Sequence, residues 1–124
     1  MKILAVDDSR VVLRALTVTL EDSGHDVTGC FTYDDAIRAA GKGRYDLLVA
    51  DYLLGPLSGL QLSTITGLPT VLITGSNLTV SEMQEIHRFR SSGWPVLTKP
   101  FYPADLTKAI ADAKQQEQAI HAAH

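Results

Sequence analysis

Polar side chains capable of chemistry close or follow four short apolar runs in this 124-residue sequence. They comprise three acids, a threonine and a lysine: Asp7, Asp8, Asp51, Thr74 and Lys99. The runs are ILAV, LLVA, TVLIT and PVLT, and none shows the alternation of a half-buried strand. Continuous apolar runs of this length are typical of parallel strands buried on both faces. Because ligands of an open parallel sheet bind at the carboxyl ends of its strands, we expect these side chains to share one site.

The chemistry of this set favours metal-assisted phosphoryl transfer. Carboxylates held close together repel one another, which raises a pKa or attracts a cation. Oxygen ligands without a neighbouring His or Cys favour Mg²⁺ or Mn²⁺ over zinc. A lysine and a threonine can bind phosphoryl oxygens, and a carboxylate can itself accept a phosphoryl group. The set therefore predicts transfer to an aspartate, in which positioning and charge neutralisation do most of the catalysis.

Each of these residues also has an ordinary structural explanation. Asp8 or Ser9 can cap the first helix, and Asp51 can begin a turn. Thr74 can be a β-branched strand residue, and Lys99 can be a solvated loop charge. Their joint occurrence at four strand ends favours the common site over four separate explanations.

Helical patterns separate the strands and define the fold class. A weaker run at 25–31 contains Gly29 and is predicted as an edge strand. Repeated strand–helix alternation predicts an α/β fold, a doubly wound five-stranded parallel sheet with right-handed crossovers and helices on both faces. A single domain is expected over 1–120, followed by a frayed tail at 121–124. The predicted helices cover 9–22, 33–41, 58–66, 79–91 and 103–120.

The composition restricts the possible partners and location. A net charge of −3 argues against a nucleic-acid partner, which usually needs a basic surface. Charges interrupt any apolar core of a signal peptide, and no apolar run approaches the ~20 residues of a membrane helix. We therefore expect a cytoplasmic protein without membrane contact. The single cysteine, Cys30, is predicted to be a small buried apolar side chain.

Four motifs together resemble the receiver domain of a two-component response regulator. They are VDDS, LLVADYLLGPLSGL, VLITGS and VLTKPF, and they occur in the family's order over nearly the whole chain. The resemblance implies a flavodoxin-like sheet of strand order 2-1-3-4-5. It also implies that the chain is a signalling domain of a phosphorelay and not an enzyme. Such a domain is itself phosphorylated and loses the phosphoryl group slowly.

The resemblance also assigns a role to each matching residue. Asp51 would be the phosphoacceptor, and Asp8 and Asp51 would bind Mg²⁺ or Mn²⁺ together with the backbone carbonyl of Leu53. Asp7 would act through a metal-bound water. Thr74 and Lys99 would contact the phosphoryl group, and the peptide bond before Pro100 would be cis. The phosphoryl donor would be a sensor histidine kinase or a histidine phosphotransfer protein, and the output protein is not identified.

The sequence departs from the family in its switch elements. The family commonly has an aromatic residue three positions before the lysine, where this chain has Val96. Trp94 lies two residues earlier, so strand alternation would place it on the same face. We hypothesise that activation uses Trp94 or a backbone shift of the 75–79 loop. Leu53 and Ser76 flank the acceptor in the family frame and would tune hydrolysis.

The first helix has more apolar residues than one buried face requires. Val11, Leu13 and Val18 illustrate the surplus. Scattered surface apolar residues are common and are one explanation. A docking patch for the phosphodonor, beside the acidic site, is the other.

Three other functions are alternatives to a phosphorylated receiver domain. A haloacid-dehalogenase-like phosphatase also uses an aspartate and Mg²⁺, but its two acids follow the first strand as D-x-D, whereas Asp7 and Asp8 are adjacent. A flavodoxin-like FMN binder needs a phosphate loop at the position where these acids would repel phosphate. A degenerate receiver would bind partners without phosphorylation. The full acidic set argues against it, whereas the departure at Val96 keeps it open.

Overall fold

A five-stranded parallel sheet forms the centre of the computed structural model, which describes residues 1–122. The order of the strands is β2-β1-β3-β4-β5, as expected, and the Gly29 strand lies at an edge. Each neighbouring pair is parallel, so all strands end at the same edge of the sheet. The strands are β1 (Lys2–Val6), β2 (Asp26–Cys30), β3 (Leu47–Asp51), β4 (Thr70–Thr74) and β5 (Val96–Thr98).

Five helices connect and follow the strands, close to the predicted positions. They are α1 (Arg10–Asp22), α2 (Tyr33–Lys42), α3 (Gly59–Thr66), α4 (Val80–Ser91) and α5 (Pro103–Ala122). The Thr79 hydroxyl accepts from the Glu82 N–H, and the Glu82 carboxylate accepts from the Thr79 N–H, which confirms the predicted capping box. The last helix includes 121–122 of the predicted tail, and 123–124 lie outside the described residues.

The helices cover both faces of the sheet. Successive strand residues point to opposite faces, so Ile3 packs with α1 and α5 whereas Leu4 packs against α2 and α3. A third cluster, around Ile86, fills the space below α4. Each fully buried leucine or isoleucine contributes about 1.5–3 kcal/mol relative to an exposed one. The sheet that carries the strand ends is therefore held from both sides.

The packing of α1 corrects one part of the expected docking patch. Leu13 is only 5% exposed and belongs to the core. Its side chain lies over Gly29 of β2, where a Cβ atom would be 3.5 Å from the Leu13 Cγ and Cδ atoms. The prediction that Leu13 is surplus apolar surface is wrong, because β2 lacks a side chain at this point and Leu13 fills the space. Val11 and Val18 are exposed, at 80% and 45%.

The position of Trp94 differs from the expectation based on strand alternation. The strand β5 begins only at Val96, so Trp94 precedes it. Trp94 packs against the hydrophobic cluster between the sheet and helices α1 and α5, here called the α1/α5 cluster, which includes Leu16 and Leu106. It also stacks on Phe89 of α4, with ring centroids 6.3 Å apart. Val96 packs in the Ile86 cluster on the α4 side. Trp94 therefore does not occupy the place beside Val96 that alternation predicted, because Pro95 and the late start of β5 interrupt the strand.

None of the helices within residues 1–122 combines the length and apolar composition of a membrane span. Cys30 is buried at the end of β2, as predicted. Burial, aided by the charge of Asp35, raises the pKa of its thiol above the ordinary value. A buried neutral thiol packs as a small apolar side chain.

Candidate functional site

The carboxyl ends of four strands bring the predicted site residues together. Asp7 follows β1, Asp51 is the last residue of β3, and Thr74 is the last residue of β4. Lys99 directly follows β5. The register pairs Val6 with Ala50 and Thr74 with Thr98, so the strand ends are level. The sheet therefore places residues distant in sequence at one edge.

The three acids form a compact cluster. One carboxylate oxygen from each of Asp7, Asp8 and Asp51 lies within 4.8 Å of the other two. Asp7 and Asp51 are buried, whereas Asp8 is exposed. The cluster is thus backed by the sheet on one side and open to solvent on the side of Asp8.

Lys99 approaches two of these acids. Its ammonium nitrogen lies 3.0 Å from Asp7 Oδ2 and donates a hydrogen bond of 3.3 Å to Asp51 Oδ2. The sequence indicated that Lys99 belongs to the site, but the contact with Asp7 was missed. No local signal could have found it, because β1 and β5 are far apart in sequence and only the sheet order joins them.

The charges of the site shift its proton affinities. Burial raises the pKa of Asp51 above its usual value, and repulsion from Asp7 adds to this, while Lys99 and the Leu53 N–H oppose it. Burial lowers the pKa of Lys99, but the close ion pair with the Asp7 carboxylate and the charge of Asp51 outweigh burial and raise it. Lys99 is therefore held in its charged form beside the two acids.

The donor atoms of the cluster fit a hard divalent cation. Asp7 Oδ1 accepts a hydrogen bond of 2.9 Å from the Ser9 N–H. Asp7 Oδ2 is buried and accepts no hydrogen bond of normal geometry within residues 1–122, although Lys99 forms an ion pair with it. A carboxylate oxygen with unused acceptor capacity, beside two other carboxylates, suits Mg²⁺ or Mn²⁺. The residues present therefore fit the metal that the sequence predicts.

The remaining predicted residues surround this cluster. Thr74 is buried, and its hydroxyl donates a long hydrogen bond of 3.5 Å to the Leu97 carbonyl. Leu53 and Ser76 are exposed. The peptide bond before Pro100 is cis, as predicted. Trp94 packs elsewhere, as described above.

A groove opens between α1 and the end of β2. It has a volume of about 580 Å³, and Leu13 contributes to its lining. Val18 and Phe31 are exposed at this groove, and the guanidinium of Arg10 lies 5.0 Å from the centroid of the Phe31 ring. The sequence predicted the exposed Val18 but not the contribution of Phe31, which lies just beyond the edge strand.

Known proteins resemble the chain over most of its length. The family model of the response regulator receiver domain matches residues 3–111. Protein PilH of Pseudomonas aeruginosa is 27% identical over 116 residues, which cover 88% of this chain and 93% of PilH. The probable transcriptional regulatory protein TcrX of Mycobacterium tuberculosis is 31% identical over 104 residues, which cover 80% of this chain and 43% of TcrX.

Other curated relatives are longer than the region they share with this chain. The alkaline phosphatase synthesis transcriptional regulatory protein PhoP of Bacillus subtilis is 26% identical over 88% of this chain, and the match spans 46% of PhoP. The chain thus spans about half the length of several curated relatives that it matches.

Solved structures agree with the family match. The signal receiver domain of a modulated diguanylate cyclase from Desulfovibrio desulfuricans is 28% identical, with a TM-score of 0.79 over 95% of this chain and 97% of that one. A receiver domain protein from Clostridium thermocellum, 23% identical, shares the fold with a TM-score of 0.78 over 96% of this chain and 98% of that one. The chain therefore belongs to the response regulator receiver domain family of two-component signalling.

Proposed function

We propose that Asp51 accepts a phosphoryl group from a phosphohistidine in a Mg²⁺-dependent reaction. The donor is a sensor histidine kinase or a histidine phosphotransfer protein, and the modification changes the contacts of the domain with an output protein. The observation that carries this proposal is the acidic cluster with Lys99 bound to both Asp7 and Asp51. A cytoplasmic location agrees with such a donor and stays a prediction.

The acidic cluster would hold the metal. Asp8, Asp51 and the backbone carbonyl of Leu53 are the proposed direct ligands, and Asp7 acts through a bound water. Mn²⁺ would bind the same oxygen ligands. When bound, the cation neutralises negative charge on the phosphoryl oxygens and on the acceptor.

The side chains of the site divide the transfer between them. A carboxylate oxygen of Asp51 attacks phosphorus, and the bond between phosphorus and the donor imidazole nitrogen breaks. The imidazole leaves with the bonding electron pair and takes up a proton. Lys99 then pairs with a phosphoryl oxygen, and Thr74 donates to another after its hydroxyl turns away from the Leu97 carbonyl. Leu53 and Ser76, both exposed, flank the acceptor and tune hydrolysis of the product.

Two observations support the 75–79 loop, rather than Trp94, as the element that switches. Asn77, in the 75–79 loop, has a φ of +67°, a left-handed conformation that asparagine adopts more readily than most residues with a side chain and that marks a sharp turn in the loop. Trp94 packs against the α1/α5 cluster and stacks on Phe89 of α4, whereas Val96 packs in the Ile86 cluster. We therefore retain the part of the switch hypothesis in which the 75–79 loop shifts when Thr74 binds the phosphoryl group.

Intact mass spectrometry after incubation with acetyl phosphate and MgCl₂ tests the phosphoacceptor. We expect a gain of one phosphoryl group in the wild-type protein and in the control variant Asp22→Asn, whose residue is exposed at the end of α1. The variant Asp51→Asn should gain no mass, and excess EDTA should prevent the gain in the wild type and in Asp22→Asn. A gain that persists in Asp51→Asn, or its absence from the wild type, would reject the proposal.

A further inference from the structure

A glycine begins α3 directly against the proposed phosphoacceptor. Gly59 is buried, and its N–H donates a hydrogen bond of 2.9 Å to the carbonyl of Tyr52. A Cβ atom added to Gly59 would collide with the backbone oxygen of Asp51. The same atom would lie 3.0 Å from the Asp51 carbonyl carbon and 3.2 Å from Leu72 Cδ1. The backbone of Asp51 therefore leaves no room for a side chain at this position.

Space, rather than backbone conformation, is what requires glycine here. Gly59 is the first residue of a helix, in a backbone conformation open to any residue, whereas Gly55 in the preceding loop has a φ of +95°. The atoms that a Cβ would meet are mostly backbone atoms of β3, which cannot rotate away as a flexible side chain can. A side chain could enter only if the start of α3 and the end of β3 moved apart.

The same contact closes the loop that carries Leu53. Leu53 and Ser58 form an isolated antiparallel bridge. This bridge is next to the hydrogen bond between Tyr52 and Gly59, so the two interactions together close the loop. A capping box between Ser58 and Gln61 fixes the start of α3. The Leu53 N–H also lies near enough to the carboxylate of Asp51 to lower its pKa. The loop is thus held at its base by α3, and Leu53 lies beside the acceptor.

We propose that Gly59 is a positioning residue for the acceptor site. Its missing side chain lets α3 begin against the Asp51 carbonyl, which fixes the Asp51 carboxylate and the Leu53 carbonyl relative to each other. Gly59 touches neither the phosphoryl group nor the metal and acts through these two residues. This inference rests on the function proposed above.

The test compares two glycine-to-alanine variants, Gly59→Ala and one at a glycine where the added Cβ has free space around it. An added Cβ at Gly41, inside α2, has nothing within 4 Å, so Gly41→Ala is the matched control. Mg²⁺ affinity is measured by NMR titration of the folded-state signals, and phosphorylation by acetyl phosphate is measured at saturating Mg²⁺. We expect Gly59→Ala to weaken Mg²⁺ binding about tenfold or more and to slow phosphorylation, because small misplacements of site groups are costly. Gly41→Ala should change neither.

The titration separates positioning from general stability. A purely structural role would lower the thermal midpoint of Gly59→Ala and leave the Mg²⁺ affinity of its folded molecules unchanged, and that result would overturn the inference. If Gly59→Ala does not fold, Ser58→Ala replaces it, since this change loosens the start of α3 without adding atoms near Asp51. Weaker Mg²⁺ binding by Ser58→Ala supports the inference, and wild-type affinity in that variant overturns it.

The wild-type arm distinguishes this inference from the proposed function. If the wild-type protein neither binds Mg²⁺ nor gains a phosphoryl group, the proposed function fails and the inference fails with it. If the wild type does both and the Gly59 and Ser58 variants match it, only the role of Gly59 is rejected.

Discussion

Lys99 stands between two buried carboxylates that would otherwise repel each other. Its ammonium contacts Asp7 and Asp51, and its side chain is partly buried. Removing one partner of such a group leaves uncompensated charge in a poorly solvated place. The site therefore contains its own cation, positioned where we propose that a phosphoryl oxygen is later held.

The variant Lys99→Met should test this compensation through stability. In EDTA we expect its free energy of unfolding to be lower than that of the wild type by about 1–2 kcal/mol. This is the value for breaking a buried ion pair, reduced because Lys99 is partly exposed to solvent. Added Mg²⁺ should stabilise the variant more than the wild type, since it supplies the missing positive charge. Chemical denaturation with and without Mg²⁺ measures both effects. Equal Mg²⁺ stabilisation of the two proteins would contradict the expectation.

The raised pKa of Lys99 also determines how its contribution to the stability of the fold changes with pH. The group ordinarily titrates near 10.5, and its folded-state pKa lies above this value. Its stabilising effect is therefore fully present below pH 10.5 and is lost as the pH rises through the folded-state pKa. In that range the stability advantage of the wild type over Lys99→Met should shrink.

Cys30 should be chemically inert in the folded protein. Its side chain is buried and the pKa of its thiol is raised, so little reactive thiolate is available at neutral pH. We expect iodoacetamide to modify it much more slowly in the native protein than in denaturant, as followed by intact mass. Equal rates in the two conditions would show that the end of β2 opens readily.

The elements of the fold were predictable because each has a local signal. Apolar runs located the strands, and the Thr79–Glu82 pattern located the start of α4. Two placements failed because the deciding contact is not local. Leu13 is buried because β2 has no side chain at Gly29 beneath it, and Trp94 leaves the face of Val96 because β5 starts late.

The same distinction applies to the site. The acids, Thr74 and Lys99 were predictable because each closes or follows a strand with a clear apolar pattern. The ion pair between Lys99 and Asp7 was not, because it depends on how side chains reach across β3 and β4. The steric fit of Gly59 against Asp51 likewise depends on the packing of α3 on the sheet.

The surface of α1 carries a prediction about the phosphodonor. Val18 is exposed at the groove that also includes Phe31, whereas Ile65 on α3 is exposed at 60%. If the donor docks on α1, Val18→Asp should slow transfer from a phosphorylated histidine phosphotransfer protein about tenfold, the effect of losing roughly 1.5 kcal/mol of apolar burial. Phosphorylation by acetyl phosphate should not change.

The variant Ile65→Asp is the matched control for this surface. It adds the same charge at a comparably exposed apolar residue, outside the residues that line the α1 groove. Equal transfer rates for the wild type and both variants would show that α1 is not the docking surface. A similar loss in both variants would indicate a nonspecific effect of the added charge.

The molecule as a whole couples its site to its stability. Asp7 follows β1 and Asp51 ends β3, two neighbouring inner strands of the sheet. A cation that binds the acids only when these strands are paired must therefore stabilise the folded state. The size of this effect follows from mass action, at about 2.7 kcal/mol when the free cation is a hundred times its dissociation constant.

Thermal unfolding at increasing MgCl₂ concentrations should consequently show a rising midpoint in the wild-type protein. Asp8→Asn should remove most of this rise, because it takes away one of the proposed direct ligands. Asp8 is exposed, so this change should cost little stability in EDTA. The control Asp22→Asn, on the exposed end of α1, should retain the full rise. A rise that is equal in all three proteins would place the bound cation away from the acidic cluster and would leave Asp51 without its proposed metal.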